Sequence, residues 1–193
     1  MSGPVILAFD TAAAHCAAVL LSGTQELSLR IDPMAKGQAE HLLPMLTEML
    51  ADQGLGWHDL AAIGVGIGPG NFTGIRISVA AARGLALGLG IPAIGVSAFA
   101  AAAENAARPV TVHLPAPQDM AYVQTLHETG ESAPALVPRP AAMVTIPAAQ
   151  SIRAIARITA AHWQKPDQPR PAPLYVRPAD AAPPRDPAPV MLT

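Results

Sequence analysis

The most specific chemical signal in this 193-residue sequence is the run Gly64-Val-Gly-Ile-Gly-Pro-Gly-Asn-Phe-Thr-Gly74. Glycines between a strand and a helix permit close backbone approach, and the free amides of a helix start can hold an anion. Gly68, Gly70, Asn71 and Thr73 therefore form a candidate nucleotide or anion loop. Two phosphate-binding patterns fail, since no Lys-Ser or Lys-Thr follows and Asn71 stands where a dinucleotide loop needs glycine. The bland reading, a tight turn capped by Asn71 or Thr73, is preferred over the phosphate loop. Asp10 and Thr11 end the apolar run ILAFDT. A carboxylate at such a strand end can hold hydrated magnesium, but Asp and Thr are also ordinary turn residues.

Other chemistry is thin. His41 lies beside Glu40, position 45 is methionine, and His15, His58, His113, His127 and His162 form no H-x-x-x-H pair, so no metal site is expected. Cys16 is the only cysteine, which excludes an internal disulfide, and it reads as a small buried hydrophobe.

Positioning these residues requires an α/β fold. Residues 4–10, 16–22 and 26–31 are β-type runs, with Ser22-Gly23-Thr24 as a hairpin turn. The first run is apolar almost throughout, as a strand buried on both faces would be. Residues 38–54 read as a helix with Leu42, Met45, Leu46, Met49 and Leu50 on one face and Gly54 as its stop. Pro44 predicts a regular start near Leu42, or a bend. A strand at 61–68, a helix at 71–90 and a strand at 92–97 follow, so helices pack on the faces of a mixed sheet. Strands at 110–114 and 120–127 and a helix at 148–162 complete the pattern. On the second helix, Ala80, Gly84 and Gly88 recur every four residues, leaving one face without bulk where another backbone can approach. A partner surface there is favoured over packing on the helix's own sheet.

Composition divides the chain at residue 109. Residues before 110 hold 14 of the 15 glycines and 6 prolines, and those after it hold 15 prolines. Nine of those prolines fall in the last thirty residues, so the tail is expected to be polyproline-like or disordered, with Leu174-Tyr175-Val176 as an island that can dock as an edge strand. The net charge of −2 offers no basic stripe for tight nucleic-acid binding. Residues 84–103 carry no charge over the length of a membrane span, but their glycines and Pro92 divide them into a helix end, a turn, a strand and a new helix. The amino terminus has no basic segment followed by a long apolar one, so a cytoplasmic address is the expectation.

Together, ILAFDT, GQAEHLLPML, GVGIGPGNFTGIRISVAAARGLALGLGIPAIGVS and PLYVRPAD resemble the bacterial TsaB (YeaZ) family. The resemblance is dense over residues 5–103 and resumes weakly at 173–180. It implies an actin-like ATPase superfamily fold built from RNase H-like motifs in two subdomains: 1–109 as the first, 110–163 as a reduced second, and 164–193 as a Pro-rich tail. It implies a non-catalytic subunit working with the catalytic paralogue TsaD and the ATPase TsaE. That complex adds threonylcarbamoyl to the adenosine beside the anticodon of tRNAs reading codons that begin with A. No cofactor is expected in this chain, with ATP and metal at the partner subunits and tRNA met only through the complex. Contact with TsaD, or with a second copy in a free homodimer, is implied through helices 38–53 and 73–89. The expected contact residues are Leu42, Met45, Leu46, Met49, Ile75, Val79, Ala80, Arg83, Gly84, Leu87 and Gly88. TsaD-like relatives carry H-x-x-x-H where this chain has Ala98-Phe-Ala-Ala-Ala102, so the metal ligands are missing here. The charged run expected before Tyr122 is replaced by Pro115-Ala-Pro-Gln-Asp-Met-Ala. The alternative function is an ATP-dependent phosphotransferase or hydrolase using Asp10 and the 66–74 turn.

Overall fold

The structure is a computed structural model that describes residues 3–176; of the tail expected at 164–193, the part from 177 onward lies outside the described residues. Strands β1 (Val5–Asp10), β2 (His15–Ser22) and β3 (Gln25–Pro33) form an antiparallel meander. The β2–β3 connection is the expected hairpin, with Ser22 paired to Gln25 and Gly23 at a φ of 60°. Strands β4 (Leu60–Gly66) and β5 (Ala93–Val96) add in parallel, giving the order β3-β2-β1-β4-β5. A three-strand meander extended by two parallel strands is the RNase H-like motif of the actin-like fold.

Alternation along β1 explains the apolar run from Val5 to Phe9. Val5, Leu7 and Phe9 face helices α1 (Gln38–Asp52) and α2 (Phe72–Leu89), whereas Ile6 and Ala8 face helix α4 (Ala148–His162) on the opposite side. Such a strand has no solvent face on which a polar residue could sit. Residues 84–103 are indeed three elements: the end of α2, then β5, then the short helix α3 (Ala98–Ala102). Helix α2 is long and apolar enough to span a membrane by composition, but it packs against β4 and β1.

Three features differ from the sequence reading. Helix α1 begins at Gln38, not near Leu42, and runs through Pro44. Pro44 is exposed, so water can hydrate the Glu40 carbonyl that loses its amide partner. A second sheet contains β6 (Val110–Ala116), β7 (Met120–Leu126) and an unforeseen edge strand β8 (Ala135–Pro138), order β6-β7-β8. Finally, α4 does not belong with that small sheet, although the 110–163 division places it there. Its Ile152, Ile155 and Ala156 pack on Ile6, Ala8, Val19 and Ala62 of the first sheet. Gly64 lets α4 approach, because a Cβ there would strike the Thr159 side chain.

Candidate functional site

The glycine-rich run lies between β4 and α2 and is first of all a structural turn. Asn71 caps α2, its Oδ1 accepting from the Gly74 amide at 2.8 Å. Gly74 passes so close to β1 that a Cβ would collide with the Thr11 carbonyl, and the buried Thr11 hydroxyl donates to the Gly74 carbonyl at 2.6 Å. Gly68, at a φ of 90°, turns the chain where an L side chain would be strained. The buried Thr11 hydroxyl and the Oδ1 of exposed Asn71 are thus both engaged by Gly74, and Thr73 is exposed without the capping role.

Asp10, Gly68 and Gly70 do line a cleft of about 320 Å³, together with His15, Gly66, Pro115, Thr145 and Ser151. Asp10 Oδ1 accepts from the Ala12 amide at 2.9 Å, which makes it a turn-forming residue, while its Oδ2 lies 4.0 Å from His15 Nε2. A carboxylate, an imidazole and glycine backbone can receive a small polar ligand. Among the described residues no three His, Cys, Asp or Glu side chains gather as metal ligands. Cys16 is buried, and burial together with the Asp32 and Asp10 charges pushes its thiol up to about 11.

The expected partner face divides in two. Leu42, Met45, Leu46 and Met49 of α1, with Ile75 and Val79 of α2, are at most 3% exposed and belong to the core against β1 and β4. They are corrected from surface to core residues, because the stripe that sequence periodicity reveals is the one facing the sheet. Ala80, Arg83, Gly84, Leu87 and Gly88 lie outward, and Leu87 is 83% exposed. Among the described residues nothing lies within 4 Å of a Cβ added at Gly84 or Gly88. Beside them runs an apolar groove of about 520 Å³ lined by Leu43, Trp57, Ala81, Leu85 and Leu89. Sequence reasoning missed Leu43 and Trp57; the available signal was Leu43, an apolar residue off the buried stripe and 45% exposed.

The expected island at Leu174-Tyr175-Val176 does dock, and an unforeseen contact ties it to α2. Leu174 donates its amide to the Ile67 carbonyl at 2.8 Å, so the island docks by one backbone bond without becoming a strand. Arg76 lies over the Phe72 ring, 3.7 Å from its centroid, and its Nε donates to the Tyr175 hydroxyl at 2.8 Å.

Comparison with known proteins fits this geometry. The family model for TsaD, tRNA N6-adenosine threonylcarbamoyltransferase, matches residues 33–168. The tRNA threonylcarbamoyladenosine biosynthesis protein TsaB of Escherichia coli is 39% identical over 104 residues, covering 53% of this chain and 44% of that protein. TsaB of Haemophilus influenzae is 35% identical over 106 residues, covering 55% and 44%. An uncharacterized protein of Mycobacterium tuberculosis is 32% identical over 200 residues, covering 92% of this chain and 94% of that one. The chain belongs to the TsaB (YeaZ) family.

Its fold agrees. YeaZ from Pseudomonas aeruginosa superposes with a TM-score of 0.62 at 23% identity, covering 82% of this chain and 92% of that one. A second Pseudomonas aeruginosa structure, described as similar to peptidase YEAZ, gives 0.69 at 23% identity and covers 90% and 100%. The matches span less than half the length of the curated TsaB relatives. Within the TsaB frame, the Gly64–Gly74 turn sets where α2 starts, and the buried stripes fix which side of α2 faces out.

Proposed function

We propose that this chain is a non-catalytic scaffold subunit of the system that adds threonylcarbamoyl to the adenosine 3′ of the anticodon in tRNAs reading ANN codons. It acts by binding a TsaD-like catalytic subunit through the outward face of α2. The observation that carries this reading is the pair Gly84 and Gly88. Glycine inside a helix costs about 1 kcal/mol relative to alanine, and among the described residues nothing packs where a side chain at either position would lie. Small residues beside the exposed Leu87 and an apolar groove suit a second helix lying close.

The family names of the relatives support the pathway, and the alanines of α3 support the absence of catalysis, since they stand where the TsaD-like ligands are expected. In this reading ATP and metal reside on partner subunits, a TsaE-like ATPase joins the complex, and tRNA is met only through it. The free chain pairs with itself by the same face, in the cytoplasm. Gly84→Leu with Gly88→Leu tests the interface. Open space at both positions predicts a folded protein that no longer co-purifies with the TsaD-like subunit or sustains modification. A folded variant that keeps both would remove the assignment.

The cleft favours one other reading, a nucleotide-dependent phosphotransferase or hydrolase using Asp10. Magnesium-dependent ATP turnover by the isolated chain, abolished in Asp10→Ala, would establish it; no turnover by the wild type would dismiss it.

A further inference from the structure

Opposite the apolar groove, on the other flank of Gly84, lies a second pocket of about 480 Å³. Leu87, Ile91, Pro92 and Pro171 give it apolar walls, and Arg83, Arg170 and Gln168 stand among its lining residues. Two exposed guanidiniums thus border one pocket. Arg30, Arg139, Arg153 and Arg157 each have a carboxylate partner, Arg76 is engaged by Phe72 and Tyr175, and half-buried Arg108 has no ion pair among the described residues. Arg83 and Arg170, both exposed, have no ion pair within 4.0 Å among the described residues. Arg83 also stands six residues before the end of α2, beyond the last turn in which the helix dipole would account for a cation.

We propose that this pocket receives a carboxylate on a short apolar stem, a glutamate or aspartate side chain of the partner that docks on α2. The inference rests on the reading of α2 as a docking face and adds a requirement to it. Gly84 lines both the pocket and the α1–α2 groove, so a helix crossing there overhangs both. One flank of that helix is apolar, fitting Leu43 and Trp57, and the other carries the acid. Guanidinium forks suit carboxylates in particular, and pairing across an interface selects partner and orientation.

Two measurements test it on the full chain. Titration calorimetry with the TsaD-like subunit of the same genome compares wild type with Arg83→Glu, Arg170→Glu and Leu87→Asp. Each charge reversal is expected to weaken binding about tenfold or more and to flatten its salt dependence. Charge-reversed variants that bind like wild type overturn the pocket assignment even when Leu87→Asp abolishes binding, which upholds the docking face.

The second measurement needs no partner. Arginine Nε–H resonances are followed by NMR during addition of butyrate, with butyramide as the neutral control. Saturable shifts at Arg83 and Arg170 with butyrate alone support the proposal; no shift, or equal shifts at the paired Arg153 and Arg157, overturns it. Asp180→Asn and Asp186→Asn form the last arm. Resonance changes at Arg83 and Arg170 in those variants, without added butyrate, would mean that the chain's own tail fills the pocket, which also overturns it. A wild type that does not bind the TsaD-like subunit removes the docking reading, while the butyrate response still decides the pocket.

Discussion

Leu46→Ala and Leu87→Ala, compared side by side, test whether α1 and α2 direct their apolar residues as described. Leu46 is fully buried among Met45, Met49, Leu50 and the β1 side chains. Truncating such a leucine removes its transfer energy and leaves a cavity, together about 2–5 kcal/mol. For a chain of this length each kcal/mol moves Tm by about 2–4 °C, so a fall of roughly 4–20 °C is expected. Leu87 is 83% exposed. Complete burial of a leucine contributes about 1.5–3 kcal/mol, so the small fraction covered here is worth roughly 0.3–0.5 kcal/mol at most. Alanine's better helix propensity returns about 0.2 kcal/mol, leaving Leu87→Ala almost neutral. Urea denaturation at equal m-values reads both changes as shifts in midpoint. The reasoning is refuted if Leu87→Ala destabilises as much as Leu46→Ala, or if Leu46→Ala stays within about 0.5 kcal/mol of wild type.

Asn71→Ala removes the cap of α2 and is expected to cost about 1 kcal/mol, with Asn71→Asp restoring most of it, both read by denaturation. Cys16, with its thiol raised to about 11, should resist alkylation at pH 8 in the native protein and react once the protein is unfolded, as a timed thiol assay would record. Because the folded thiol titrates above its unfolded value, stability is full below the unfolded thiol pKa and declines as pH rises toward 11. Glu26 is held below its ordinary range chiefly by hydrogen bonds from Arg153, at 2.7 and 2.9 Å. A depressed carboxylate contributes stability above its unfolded pKa and loses it as pH falls, so Glu26→Gln should narrow the stability difference between neutral and acid pH. Both side chains are more than a third exposed, and the change at pH 7 should stay below about 1 kcal/mol.

How much of this was readable depended on what each residue had to do locally. β1 announced its burial on both faces because its five successive residues Val5 to Phe9 are all apolar. The Asn71 cap and the Gly74 crossing lay in one short run whose residue types are tied to backbone geometry. The direction of the α1 stripe was not readable, since Leu42, Met45, Leu46 and Met49 have the same spacing whether they face a sheet or another molecule. Only the sheet's other contacts decide it, and those come from residues far along the chain. β8 was hidden because its four residues lie among prolines, which an edge strand tolerates and a sequence pattern counts against. The packing of α4 under β1 depends on Gly64 and Thr159, ninety-five positions apart, and no local pattern links them. Arg170 gave no signal at all until its pocket with Arg83 was visible.

Binding between this chain and the TsaD-like subunit of the same genome, measured by titration calorimetry with Leu87→Asp as the paired variant, tests the central claim most directly. A saturable complex with the wild type and none with a folded Leu87→Asp is the predicted result. Equal affinity of the two proteins, or no complex with the wild type, would contradict it.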